Sequence, residues 1–102
     1  MDLFEPPVDA LDLTTVLQAL GDPARLKIVR ALAAEGECAC GSIDLAVSKA
    51  TRSHHFKVLR EAGVTHTRLE GTHRYVVLRR DDLAARFPGL LEAVLHAQTV
   101  PA

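Results

Sequence analysis

The sequence predicts a small, mainly α domain closed by a β-hairpin, on three observations. Apolar residues recur at spacings of three and four over residues 13–34 and again over 48–63, the signature of helices with one buried face. The period then switches to two over 64–69 and 73–78, and it returns to helical spacing near the end of the chain. With 102 residues, 48% of them apolar, the chain has material for one modest core, so a single domain over 1–102 is expected. Its four aromatics, Phe4, Phe56, Tyr75 and Phe87, leave most of the filling to Leu, Val, Ala and Ile.

Taken in order, residues 1–10 carry Pro6-Pro7 and scattered acids without a period, and read as a flexible arm. Leu13, Val16, Leu17 and Leu20 then form one apolar stripe on a helix over 11–20, which Gly21 ends. Asp22 is a natural N-cap and Pro23 suits the first helical position, where its missing amide costs nothing. This second helix runs to about residue 34 and buries Leu26, Ile28, Val29 and Leu32. After Gly41-Ser42, residues 43–46 have room for about one helical turn before Ser48.

Ser48 and Gly63 bracket the next helix as N-cap and left-handed C-terminal residue, about four turns apart. Phe56, Leu59 and Ala62 face a core, while Lys49, Ser53, Lys57 and Arg60 are expected to point outward. Residues 64–69 and 73–78 flank Glu70-Gly71-Thr72 as a hairpin. It carries Arg68, His73 and Arg74 near its tip and Arg79 and Arg80 at its exit. Asp81-Asp82 caps a last helical region over 83–96, interrupted at Phe87-Pro88-Gly89 because proline disfavours helix in the residue before it. A short helix, a tight turn and a cationic helix over 40–63, followed by a basic hairpin over 64–79, make a winged helix-turn-helix.

Charge is segregated along this order. The net charge is −1, yet residues 49–80 carry eight basic and two acidic side chains, against three and eight over 1–48 and one and three over 81–102. A basic block within an acidic chain is the footprint of a localised nucleic-acid surface. Lysine, arginine and small polar side chains on an exposed helix suit phosphates and base edges of a major groove. An enzyme finds no support, since the chain holds no Gly-rich phosphate loop, nucleophile elbow or paired-carboxylate constellation. A winged-helix module for protein contacts or metal carriage is the alternative. No apolar run approaches a membrane span and no secretory leader pattern opens the chain, which predicts a cytoplasmic protein without membrane contact.

The terminal stripes exceed what one small core covers. Leu13, Val16 and Leu17 in 11–20, with Leu90, Leu91, Val94 and Leu95 in 82–97, are expected to form a homodimer through the N- and C-terminal helices. A twofold pair would set two cationic helices about one duplex turn apart, roughly 34 Å, matching a palindromic operator.

Three stretches resemble the ArsR family of bacterial winged-helix regulators. They are Ala19-Leu20-Gly21-Asp22-Pro23-Ala24-Arg25-Leu26, then Ser53-His54-His55-Phe56-Lys57-Val58-Leu59-Arg60-Glu61-Ala62-Gly63, and Glu70-Gly71 in the hairpin, together spanning about residues 13–80. The resemblance implies a homodimeric repressor that holds operator DNA until a metal ion or a thiol oxidant alters the dimer. It places Lys49, Ala50, Ser53 and His54 where recognition helices meet bases. Residue chemistry adds Thr51, Lys57 and Arg60 as phosphate or edge contacts. Arg52, where the family usually has an apolar residue, is expected to reach a phosphate or to pair with Asp44.

By the same resemblance Cys38-Ala39-Cys40 is similar to a soft-metal Cys-x-Cys motif, and His96 with Glu92 to part of a last-helix zinc or nickel site. The cysteine segment is shorter than the family's, and no third cysteine exists. Metal ligation by Cys38, Cys40 or His96, reversible oxidation of the two thiols, and incidental cysteines all stay open. A redox role would require exposed thiols of low pKa.

Overall fold

The structure, a computed structural model, describes residues 3–97. The first two residues of the predicted arm lie outside them. Five helices and a three-stranded antiparallel sheet follow one another as α1 (Leu13–Leu20), α2 (Pro23–Glu35), β1 (Cys38–Ala39), α3 (Lys49–Ala62), β2 (Thr65–Glu70), β3 (His73–Leu78), α4 (Arg80–Arg86) and α5 (Leu90–His96). Short 3-10 turns occupy Val8–Ala10 and Cys40–Ser42.

Side-chain caps set the starts of α1 and α2, whereas Asp81-Asp82, expected to cap the last helical region, lies inside the first turn of α4, which begins one residue earlier behind Arg79 and has no side-chain cap. The Asp12 carboxylate accepts from the Thr15 amide at 3.0 Å and from its hydroxyl at 2.9 Å, opening α1. That of Asp22 accepts from the amides of Ala24 and Arg25 at 2.8 and 3.2 Å, opening α2. In each case backbone amides that have no partner inside the helix are satisfied by a charge placed at the positive end of its dipole.

The sheet order is β1-β3-β2. In the hairpin Thr65 pairs opposite Leu78 and Glu70 opposite His73, so the turn shrinks to Gly71-Thr72, with Gly71 at φ 61°. Glu70, expected in the loop, is therefore the last residue of β2. The strand β1 was not expected: Cys38 and Ala39 pair opposite Val76 and Tyr75. Two residues are too few to show any period.

The core lies between α2, α3 and the sheet. Ile28, Val29 and Leu32 from α2 meet Leu59 from α3, Val76 from β3 and Leu83 from α4, each at most 2% exposed. The turn predicted over 43–46 is not helical. Ile43 and Leu45 are buried while Asp44 and Ala46 are exposed, an alternation that suits extended chain, and a lone turn is too short to repay helix nucleation.

The N-terminal segment also departs from the expected flexible arm, for it lies packed against the back of α3. Pro6 and Leu11 are buried. The Arg79 Nη1 donates to the Pro6 carbonyl at 2.7 Å, and the Arg86 Nη2 to that of Leu11 at 3.0 Å. Glu5 accepts from the Thr67 amide at 2.9 Å, covering a donor on the open edge of β2. Gly63 makes the close approach possible: at φ 87° it has no side chain, and a Cβ there would meet Leu11 Cδ2 at 2.1 Å.

Candidate nucleic-acid interface

α3 is held rigid at both ends. Ser48 Oγ accepts from the Thr51 amide at 3.1 Å. At the other end the Gly63 amide donates to Arg60 O and the Val64 amide to Leu59 O, both at 3.0 Å, a Schellman closure that places Gly63 in the left-handed region. Fourteen residues of helix are thereby fixed against the core by Phe56, Leu59 and Ala62.

The opposite face presents Lys49, Ala50, Thr51, Ser53, His54 and Lys57, all exposed. Lys49 and Lys57 carry no hydrogen bond or ion pair among the described residues, so their ammonium groups are available to an external anion. The structure thus gathers six of the residues proposed from sequence on one solvent-facing strip. His55 turns the other way, into the junction of α1 and α2, where its Nδ1 lies 3.2 Å from Arg25 Nη1.

Two arginines of α3 depart from the outward orientation. Arg60 is 9% exposed, and its Nε donates to Phe4 O at 3.3 Å. It stands four residues after Phe56, hence on the edge of the buried stripe, and a long aliphatic stem lets it lie against that edge. Arg52 does not pair with Asp44. Its Nη1 donates to Ile43 O at 2.7 Å and to Cys40 O at 3.3 Å. It supplies the donors that an absent helical turn would have provided to those carbonyls.

The hairpin side is mostly self-neutralised. Arg68 pairs with Glu37 at 2.6 Å and with Glu70 at 2.5 Å, and lies 4.6 Å from the Tyr75 ring centroid. These hydrogen bonds raise its pKa still further and hold the Glu37 carboxyl below the usual carboxylate range. Arg79 pairs with Asp82 at 3.0 Å, and Arg80 donates to Ala33 O at 3.0 Å and stands 4.0 Å from Glu92. His73 and Arg74 are exposed near the tip, and Arg74 has no hydrogen bond or ion pair among the described residues.

The residues proposed for a dimer divide. Val16 is 0% and Leu91 6% exposed, so both belong to the core of the chain itself and offer no surface to an interface. Leu13 and Leu17, one turn apart, are each 46% exposed, and Leu90, Val94 and Leu95 are half-buried.

The cysteines do not make a metal centre within one subunit. Cys38 is buried, its thiol donating to Glu35 Oε2 at 3.3 Å, while Cys40 is half-buried beside arginines. Burial, reinforced for Cys38 by Glu35, raises the pKa of each thiol, opposite to what a reactive thiolate requires. His96 Nε2 lies 3.5 Å from Glu92. Among the described residues no three His, Cys, Asp or Glu side chains come together as a ligand set, so these residues of a single chain do not by themselves fit a bound metal.

Comparison with known proteins agrees with this geometry. The helix-turn-helix domain family matches residues 20–68, from the end of α1 into β2. The chain is 43% identical over 82 residues to YceK of Bacillus subtilis, an uncharacterized HTH-type transcriptional regulator, covering 78% of this chain and 82% of that one. The crystal structure of the transcriptional repressor BigR from Xylella fastidiosa superposes with a TM-score of 0.62 at 30% identity, covering 84% of this chain and 88% of that chain. That of an ArsR family transcriptional regulator does so with 0.64 at 20% identity, over 87% and 91%, which speaks for the fold alone. Relatives and fold alike are those of DNA-binding regulators rather than enzymes. A capped helix with an exposed polar face, a hairpin beside it and these likenesses lead to one assignment: the chain belongs to the ArsR family of winged helix-turn-helix transcriptional regulators.

Proposed function

We propose that the protein is a cytoplasmic repressor that binds a palindromic operator as a homodimer. Lys49 and Lys57 take backbone phosphates, and Ala50, Thr51, Ser53 and His54 meet base edges, with His73 and Arg74 of the hairpin on the flanking backbone. One observation carries this reading above the others: a helix closed at both ends turns its small polar side chains and its two unpaired lysines to solvent on a single face. Arg52, Arg60 and Arg68 support the interface indirectly, because their guanidiniums hold the turn, the N-terminal segment and the hairpin.

The second copy is supplied by the apolar surface that one subunit leaves uncovered. Leu13 and Leu17 are its centre, with the half-buried Leu90, Val94 and Leu95 as neighbours. Release is assigned to a change in this pairing, driven by a metal ion or by thiol oxidation. Given the unpaired cysteines and raised thiol pKa values, either signal needs donors or a rearrangement that the described residues of a single subunit do not offer.

Footprinting the protein on the DNA upstream of its own gene tests the reading. Two protected half-sites about one helical turn apart are expected. An unprotected duplex, or a single protected half-site, refutes it. Leu13→Glu with Leu17→Glu should turn the dimer into a folded monomer in sedimentation, and an unchanged mass would exclude this face.

A further inference from the structure

Between the start of α3, the hairpin and the Cys40–Ser42 turn lies a cavity of about 110 Å³. One water needs on the order of 10–15 Å³ by that measure, so the space admits an ion of several heavy atoms. Arg52, Arg60 and Arg74 line it, together with Ser53, Phe56, Thr67 and Cys40, and the positive charges of all three arginines are felt at the Cys40 thiol. Among the described residues no carboxylate lines it. Elsewhere in the chain converging guanidinium charge is met by acids, as at Arg68 with Glu37 and Glu70.

The donors in this cavity are not used up. Arg60 is nine-tenths buried, yet among the described residues only its Nε has a partner, Phe4 O, and the two terminal nitrogens have none. Arg74 has no partner at all among them, and Arg52 commits only Nη1. The terminal nitrogens of Arg60 keep contact with solvent and are therefore open to an external acceptor, and three cations lining one recess repel one another unless a negative charge sits between them. Planar guanidinium forks and hydroxyl donors match the geometry of a phosphate-like or carboxylate oxyanion.

We propose that this cavity is a binding site for a small free oxyanion of the phosphate or sulfate class, held by Arg52, Arg60 and Arg74 with Ser53 and Thr67. Because Arg60 and Ser53 belong to α3, Arg74 and Thr67 to the hairpin, and Cys40 to the preceding turn, the bound ion ties together the three elements of the DNA-binding face. Occupancy also places a negative charge beside the Cys40 thiol, which disfavours its thiolate and slows its alkylation. The inference does not rest on operator binding.

The test is calorimetric titration of the full chain with inorganic phosphate in the absence of DNA. It is paired with the rate at which iodoacetamide alkylates Cys40 in a Cys38→Ser chain. Saturable binding is expected, along with a fall in alkylation rate that saturates at the same phosphate concentration. Arg74→Gln, which removes an exposed side chain, should weaken binding at least about tenfold, the loss of one charge-assisted hydrogen bond. Lys27→Gln, exposed on α2, should leave it unchanged. No saturable binding, or equal affinity in Arg74→Gln, overturns the proposal. So does protection of Cys40 by duplex DNA but not by phosphate, which would give the cavity to a DNA backbone group instead.

Discussion

On the outward face of α3 both lysines, Lys49 and Lys57, end in solvent, whereas along the hairpin and its exit Arg68, Arg79 and Arg80 all end on protein acceptors. The two regions contribute equally to the basic block read from sequence, yet they deploy their charge in opposite ways. Arginine presents a planar fork that meets carboxylates and carbonyls at fixed angles, so it is recruited wherever the fold has such acceptors to satisfy. Lysine, strongly hydrated and flexible, is left to the solvent. The difference teaches that the charge of a segment is not the field that it projects. Of eight cations in residues 49–80, only Lys49, Lys57 and Arg74 lack a protein partner among the described residues.

The strongest break between the regions should come from reversing charge on α3. Lys49→Glu with Lys57→Glu is expected to weaken operator binding on the order of a hundredfold or more at 0.1 M salt, with thermal stability nearly unchanged. Affinity within a few fold of the parent would mean that the helix face is not the docking surface. Next in size is Arg52→Leu, which strips donors from Ile43 O and Cys40 O and should lower stability by about 1–3 kcal/mol while the salt slope of DNA binding stays put. A flatter slope with unaltered unfolding would make Arg52 a phosphate contact instead of a brace.

Arg68→Gln sharpens the comparison from the other side. Since its charge is already offset by Glu37 and Glu70 on an exposed surface, operator affinity should change by less than about threefold. The smallest effect concerns the caps. The amides that the Asp12 and Asp22 carboxylates accept hold their pKa values below the usual 3.8, so their contribution to stability is complete above about pH 4. It is lost as pH falls through the lower folded-state values. Asp22→Asn keeps an N-cap but not its titration, and circular dichroism should record a flatter acid-unfolding curve for it.

Much of this was legible in the chain. Asp22-Pro23, Ser48 and Gly63 mark helix ends through local hydrogen bonding that needs no tertiary partner, and the switch from period 3.6 to period 2 at residue 64 marks the hairpin. What escaped were features decided by distant contacts. β1 exists only because β3 offers an edge, and the arm is ordered by Arg79, Arg86 and the space above Gly63. At the site, the exposure of Lys49, Ser53 and Lys57 followed from helical phase. The burial of Arg60 has a signal as well, its place four residues after Phe56, although a charged side chain ordinarily argues for an outward position. For Val16 and Leu91, apolar spacing marks burial without telling a subunit's own core from a partner's.

The salt dependence of specific operator binding, followed by fluorescence anisotropy between 50 and 200 mM, tests the central claim most directly. Three free cations per subunit in a dimer predict a slope of log K against log salt of about −5, at roughly −0.9 per neutralised phosphate. A slope near −14, as if every cation of the basic block reached DNA, or a binding strength indifferent to salt, would contradict the account.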